Sequence, residues 1–246
     1  MSTQTTIEWT EQTWNPVTGC SKISPGCYHC YAEVMARRLT AMGAPGYKNG
    51  FEVTLHPSRL AEPLKRKKPT IYFVNSMSDL FHAAIPDSYV KQVFEVMKNT
   101  PQHVYQVLTK RHNRMAKFFE SYDPPENAWI GVTVENRKNG LPRIDKLRTV
   151  NAKVRFLSVE PLLECLNEVD LRDIHWVIVG GESGPKARPM QQEWVLNVKE
   201  QCERQDVSFF FKQWGTWGSD GVKRYKKSNG RLLEGKLWDG MPEMGL

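Results

Sequence analysis

Seven short runs of β-branched, aliphatic and aromatic residues recur along this chain. They lie at 51–55 (FEVTL), 70–75 (TIYFVN), 104–109 (VYQVLT), 129–134 (WIGVTV), 154–159 (VRFLSV), 176–180 (WVIVG) and 207–212 (VSFFFK). Runs this short and this apolar suit parallel strands covered on both faces, because a strand with one wet face alternates instead. Stretches of helical period separate them. Ala32, Met35, Ala36 and Leu39 share one helical face, as do Tyr89, Val90, Val93, Phe94 and Met97; Met115, Phe118, Phe119 and Tyr122; and Trp194, Val195, Val198 and Cys202. Asp87, just after Pro86, is placed to cap the second of these helices. With a first strand inside 7–14 (IEWTEQTW), eight strands alternate with helices. The pattern predicts an α/β fold, a (β/α)8 barrel or a partly open TIM-type barrel, with an open doubly wound sheet as the competitor.

A length of 246 residues suits one such barrel, expected over 1–212, with 213–246 as an irregular C-terminal extension packed on the same domain. That extension carries four glycines between 215 and 230 and the basic run VKRYKK at 222–227. No apolar run approaches the roughly 18 residues of a membrane span, and the opening MSTQTTIEWTEQTW lacks the basic-then-apolar pattern of a secretory leader. A cytoplasmic protein with no membrane partner is expected. Lysine and arginine number 34 against 27 acidic residues, a net charge of +7 that fits a polyanionic partner and fits a merely basic surface equally well. The oligomeric state is not legible.

Three of the five cysteines, Cys20, Cys27 and Cys30, fall within GCSKISPGCYHC. Their loop follows the first strand and precedes the first helix, which places it at the C-terminal rim of a parallel sheet, where such folds carry function. A structural zinc would need a fourth ligand; no second Cys-x2-Cys pair exists, and His29 sits awkwardly between two of the thiols. Unrelated buried thiols fit poorly beside Pro25, Gly26 and polar neighbours. Three thiolates can instead hold three irons of a [4Fe–4S] cluster and leave the fourth iron open to an exchangeable ligand. Cys202 lies on an apolar helical face and reads as a buried structural thiol. Cys165 lies just beyond the sixth strand.

Polar residues gather at the other strand ends. Asn75, Ser76, Ser78 and Asp79 follow the third strand; Lys110 and Arg111 the fourth; Thr133, Glu135 and Asn136 the fifth; Ser158 and Glu160 the sixth; Glu182 and Ser183 the seventh. Glu160 is held extended by Pro161. Each residue reads alone as a turn or cap, and together as a polar rim able to bind a ligand. Lys212, Gln213, Trp214 and Trp217 end the last strand; with Arg188, Lys186 and the 223–227 run they suit base stacking with phosphate contact, or an aromatic plug closing the barrel.

The cysteine loop resembles that of the radical S-adenosylmethionine (SAM) enzymes, with a longer first spacer of six residues and His29 where an aromatic is usual. Nearly the whole chain resembles a phage-associated family with a three-cysteine motif, through WNPVTGC, SPGCYHCYA, NSMSDLF, LTKR, LSVEPL, GGESG and FFFKQWG. Among enzymes of known chemistry it resembles the spore photoproduct lyases. The resemblance implies a [4Fe–4S] cluster on Cys20, Cys27 and Cys30, and SAM as cofactor. Ser76 would take the methionyl amine, Lys110 the carboxylate, and Tyr31 would flank the cluster. The remaining rim residues from Asn75 to Ser183 would serve SAM or substrate, and Cys165 would donate a hydrogen atom to a substrate radical. The implied activity generates a 5′-deoxyadenosyl radical that acts on a nucleobase in DNA or RNA, as a repair lyase or a base-modifying enzyme. It would need an electron donor such as flavodoxin or ferredoxin. A zinc-stabilised nucleic-acid-binding module without catalysis, and a radical enzyme acting on a peptide or small metabolite, are the alternatives.

Overall fold

The computed structural model describes residues 3–5 and 7–243. The chain opens with β1 (Thr3–Gln4), β2 (Gln12–Trp14) and β3 (Val17–Thr18), followed by α1 (Tyr31–Ala41) and β4 (Thr54–Leu55). From β5 (Ile71–Val74) strand and helix alternate: α2 (Asp87–Lys98), β6 (Val104–Thr109), α3 (His112–Phe119), β7 (Ala128–Thr133), α4 (Arg137–Arg148) and β8 (Arg155–Val159). A loop leads to β9 (Trp176–Gly180), then α5 (Gln192–Arg204), β10 (Ser208–Gln213) and the short α6 (Lys226–Asn229).

The main sheet runs β1-β2-β5-β6-β7-β8-β9-β10. Seven of these strands, β2 and β5 to β10, are parallel, and β1 joins the edge antiparallel. The result is a mixed α/β fold whose parallel strands curl into a half-barrel. The count of eight barrel strands needs correction, because the run at 51–55 does not enter the sheet. Only Thr54–Leu55 is extended, and it pairs antiparallel with Val17–Thr18 in a separate ribbon. The reason is legible afterwards: FEVTL alternates apolar and polar residues, the period of a half-exposed strand. The free edge of β10 is occupied instead by the chain's tail. Phe211 N donates to Trp238 O at 2.8 Å and Gly240 N to Phe209 O at 3.0 Å, around an antiparallel bridge between Phe210 and Asp239. A covered edge leaves no row of unpaired amides. Of the expected extension, residues 244–246 lie outside the described residues.

The helical faces follow the sequence pattern in part. All five apolar residues expected on α2 are buried, as are Met115 and Phe118 on α3 and Val195, Val198 and Cys202 on α5. On α1 only Ala32 and Ala36 are buried, and Met35 is exposed. Asp87 is the first residue of α2 rather than its cap; its carboxylate accepts from Arg114 at 2.6 Å and still complements the positive helix end.

Strand alternation gives the sheet two faces. Tyr72, Val74, Tyr105, Val107, Ile130, Val132, Leu157, Val177 and Phe211 pack with the helices in the main core. Trp9, Phe73, Val104, Trp129, Val154, Phe156, Trp176, Ile178 and Phe210 form a second cluster with no helical member, which is the concave side. Trp176 is its centre, with its ring within 6.1 Å of Trp9, Trp129, Phe156 and Phe210. Gly131 makes room for this floor, since a Cβ there would meet the Phe156 ring at 2.5 Å. Two residues further along several of these strands the same face turns polar: Asn75 beyond Phe73, Ser158 beyond Phe156, with Glu160 two further still, and Lys212 beyond Phe210.

Candidate active site at the strand C-termini

The cysteine loop begins where β3 ends and is held over the polar rim. Gly19 enters it with a φ of 84°, and a Cβ there would strike Glu52 O at 2.1 Å, so only glycine fits. Gly19 N donates to Met77 O at 2.9 Å and Cys20 N to Phe51 O at 3.1 Å, which ties the loop to NSMSDLF and to the small ribbon. A 3-10 turn over Pro25–Cys27 follows, and Cys30 occupies the N-cap position of α1.

Three acid–arginine pairs from alternate strand ends support the loop. Asp79, beyond β5, accepts from Thr109 Oγ1 at 2.7 Å, Phe81 N at 3.0 Å, Lys110 N at 3.0 Å and Arg111 Nη1 at 3.2 Å. Arg111 in turn reaches Cys20 Sγ at 3.5 Å and Ser21 O and Oγ at 3.0 Å. Glu135, beyond β7, pairs with Arg143 at 2.5 Å in a fully buried site, and the Cβ of an alanine at Gly26 would sit 3.2 Å from its side chain. Glu182, beyond β9, pairs with Arg188 at 2.6 Å, and Arg188 Nη2 donates to Pro25 O at 3.0 Å. A fourth pair, Glu160 with Lys212 at 2.8 Å, is joined by Gln213 Nε2 at 3.2 Å.

Electrostatics follow from these contacts. Burial and the Asp79 charge push the Cys20 thiol up to about 11, opposed by Arg111. Burial also works to raise the Glu135 carboxyl, but the Arg143 hydrogen bond and charge, with Ser24 and Lys110, hold it below the usual range. Burial pushes the Cys202 thiol, at 0 % exposure, up to about 12, as an inert structural thiol requires.

The expected site residues therefore divide. The carboxylates of Asp79, Glu135 and Glu182 are engaged by protein donors and brace the loop. Ser76 Oγ exchanges hydrogen bonds with Asn15, and Ser78 Oγ donates to Val17 O at 2.9 Å. Tyr31 donates its hydroxyl to Ser76 O. Asn136 is the α4 N-cap, accepting from Asn139 N at 2.8 Å. Ser183 Oγ accepts from Gln213 Nε2 at 3.4 Å. Other polar atoms stay unanswered: Asn75 Nδ2, Thr133 Oγ1 and Gln213 Oε1 are buried without a hydrogen-bond partner. Asn75 also carries a φ of 58°, a left-handed conformation that asparagine tolerates. Ser158 is buried beside Thr133 in register, and Lys110 is half-buried. Cys165 is a half-buried free thiol in the loop after β8.

The expected nucleic-acid residues need correction. Trp214 is buried against Phe211 at 4.9 Å and donates to Leu232 O, so it is core and cannot stack on a base. Lys212 and Arg188 are held by Glu160 and Glu182. Trp217 is half-buried, donating to Ala187 O at 2.6 Å with Lys223 5.8 Å above its ring. Arg143 and Asn15 were missed. Asn15 stands in WNPVTGC, but its partner Ser76 lies 61 residues away, and Arg143 lies within a helix, where nothing local marks it as the partner of a strand-end acid.

Among the described residues, no three or more His, Cys, Asp or Glu side chains are gathered as a single metal ion requires. A tetrahedral zinc with bonds of about 2.3 Å draws its thiolates to within about 4 Å of one another. A four-iron cube, each iron taking one thiolate, spreads them further. Three thiols in one loop, with a guanidinium on one of them and a helix end behind another, fit that anionic group by donor chemistry. The orphaned amide and hydroxyl groups fit a polar cofactor.

A curled parallel sheet with a three-cysteine loop over its C-terminal edge defines a class of α/β half-barrel proteins with a thiol-bearing rim. Within it, the chain belongs to the family described as protein of unknown function (DUF5131), whose model matches residues 4–242. No curated protein matches the chain. Among solved structures it is similar to spore photoproduct lyase. A cysteine-to-serine variant of that enzyme is 14 % identical with a TM-score of 0.52, over 95 % of this chain and 74 % of the other. A cysteine-to-alanine variant is 13 % identical with a TM-score of 0.51 over the same shares. The lyase complexed with dinucleoside spore photoproduct is 12 % identical with a TM-score of 0.50, over 83 % and 64 %. The chain spans about three fifths of the photoproduct-bound lyase structures it matches, between 58 % and 64 %. At these identities the likeness is one of fold.

Proposed function

We propose that this chain is a radical SAM enzyme that binds a [4Fe–4S] cluster through Cys20, Cys27 and Cys30 and acts on a nucleobase in DNA or RNA. The observation that carries the reading is the placement of three free thiols in one braced loop above a rim of unsatisfied polar groups. The fold shared with spore photoproduct lyase supports it. When bound, the cluster and SAM supply one-electron cleavage of a sulfonium and abstraction of a substrate hydrogen atom. The protein's own part is to hold and orient. Asn75 Nδ2, a donor, suits the SAM carboxylate, as does the Lys110 ammonium; Thr133 and Ser158 suit its ribose hydroxyls. The aromatic floor closes the bottom of the half-barrel to water, which protects a reactive species. Trp217 and the lysines of the basic 223–227 run, in which Arg224 is held by Asp220, are the residues left to meet a nucleic acid, together with the net charge of +7. Repair of a joined pyrimidine pair and modification of a single base are the two forms this activity can take.

Anaerobic reconstitution with iron and sulfide, followed by dithionite and SAM, tests the proposal. Release of 5′-deoxyadenosine is expected, and Cys20→Ala, Cys27→Ala and Cys30→Ala should each abolish both cluster and product while Cys202→Ala retains them. Stoichiometric zinc with no product would overturn the reading in favour of a binding module.

A further inference from the structure

We infer that Arg111 sets the reduction potential of the cluster through its hydrogen bond to Cys20. The inference rests on the reading above and extends it to a residue whose part so far is only to brace the cysteine loop. Among the described residues, Arg111 Nη1 is the one charged donor within hydrogen-bond distance of any of the three thiols, at 3.5 Å from Cys20 Sγ. Ser24 Oγ lies 3.8 Å from Cys27 Sγ, a neutral contact.

The guanidinium is fixed rather than swinging. Asp79 Oδ2 holds Nη1 at 3.2 Å, and Ser21 O and Oγ hold Nη2 at 3.0 Å. Its side chain is only 12 % exposed and that of Asp79 9 %, so the charge acts through a medium less screening than water. Reduction adds one electron, and one negative charge, to an iron–sulfur cluster. A hydrogen bond to a ligating sulfur and a nearby positive charge both stabilise the reduced form and raise the potential. The Asp79 charge works in the opposite direction on Cys20, and the same carboxylate aims the donor through its 3.2 Å bond to Nη1, so removing Arg111 leaves that opposing charge uncompensated. Arg111 is therefore a positioning and tuning residue that acts through the cluster, not a group that touches substrate.

The test is an anaerobic redox titration of reconstituted wild-type protein and of Arg111→Gln, Arg111→Lys and Ser21→Ala, read by the spectrum of the reduced cluster, with iron and sulfide assayed in each. At a fixed poise, Arg111→Gln should lower the reduced-to-oxidised ratio about tenfold, about 59 mV for a one-electron couple. Arg111→Lys, which keeps the charge and loses the fork, should fall between. Ser21→Ala removes one side-chain anchor without touching a thiol, while Ser21 O and Asp79 still hold the guanidinium, and should leave the potential in place. Unmoved potentials in both Arg111 variants overturn the inference. So does a Ser21→Ala shift as large as that of Arg111→Gln, or loss of the cluster from both Arg111 variants, because each assigns Arg111 to loop anchoring. A wild-type chain that takes up no iron and sulfide overturns the underlying reading, a different result from a cluster whose potential Arg111 does not move.

Discussion

The floor and the rim of the half-barrel are built from the same strands, a few residues apart, and are held together by different physics. The floor is Trp9, Phe73, Trp129, Phe156, Trp176 and Phe210, rings in edge-to-face and tilted contact whose polar atoms are few: the Trp176 indole donates to Gly240 O, and Trp9 Nε1 is buried without a partner. The rim is four ion pairs and several buried polar atoms with no partner in the fold. A floor of this kind is held mainly by ring contact, whereas a rim of this kind is stable only where each charge keeps its partner.

The sharpest way to break the floor is Trp176→Ala. It removes the ring that contacts four others and the indole donor to Gly240 O at 2.7 Å, which fastens the tail over β10. A loss of about 4–5 kcal/mol is expected in urea unfolding. The rim counterpart is Arg143→Met, which leaves Glu135 charged, buried and unpaired beneath the cysteine loop. About 3 kcal/mol should be lost, and the double variant Glu135→Leu with Arg143→Met should recover most of it. If the single variant costs nothing, the rim does not depend on its pairs and the contrast fails.

The same contrast explains what the sequence made legible. Apolar runs betray the strands because burial on two faces demands them, and helix faces repeat every three or four residues, so the αβ alternation and the position of the cysteine loop could be read directly. The 51–55 run has the length of a barrel strand but the alternation of a half-exposed one, and the alternation decides its place in the ribbon. Asp79, Glu135 and Glu182 could be placed on the rim from their positions after strands. That they brace the loop could not, since their partners Arg111, Arg143 and Arg188 stand at no fixed spacing from them. Trp214 and Trp217 looked alike in FFFKQWGTWG, yet the β-bulge before Gln213 accompanies one tryptophan in the core and the other at the rim.

Acid should loosen the rim before the floor, which carries no titratable side chain. His56 bonds Thr18 at 2.8 Å in the ribbon that leads to the cysteine loop, and burial, then the Arg59 charge, lower its pKa to about 4. The unfolded chain therefore takes up a proton near pH 6.5 that the fold refuses, so stability is full above that pH and falls as pH drops toward 4. His82 and His112 at the rim shift in the same direction, and His103 and His175, at the opposite strand ends, add to the overall slope. His56→Gln should flatten part of it. An unchanged slope in unfolding experiments between pH 6.5 and 4 would remove His56 from this account.

The smallest effect is the most discriminating. Thr133 is 1 % exposed, and its hydroxyl has no hydrogen-bond partner, an arrangement that costs stability without contributing to the fold. Valine has nearly the same shape. Thr133→Val should therefore raise stability by about 1 kcal/mol in the absence of ligand, because it replaces an unsatisfied buried hydroxyl by a methyl group. On the reading proposed here, that hydroxyl is retained for SAM, so the same variant should bind SAM about tenfold more weakly after reconstitution, a loss of about 1.4 kcal/mol. Gain in one measurement and loss in the other is what a site held ready at the expense of the fold predicts. A Thr133→Val protein that is less stable without ligand shows that the hydroxyl already has a partner. One that is more stable and binds SAM unchanged shows that the polar rim faces some other ligand.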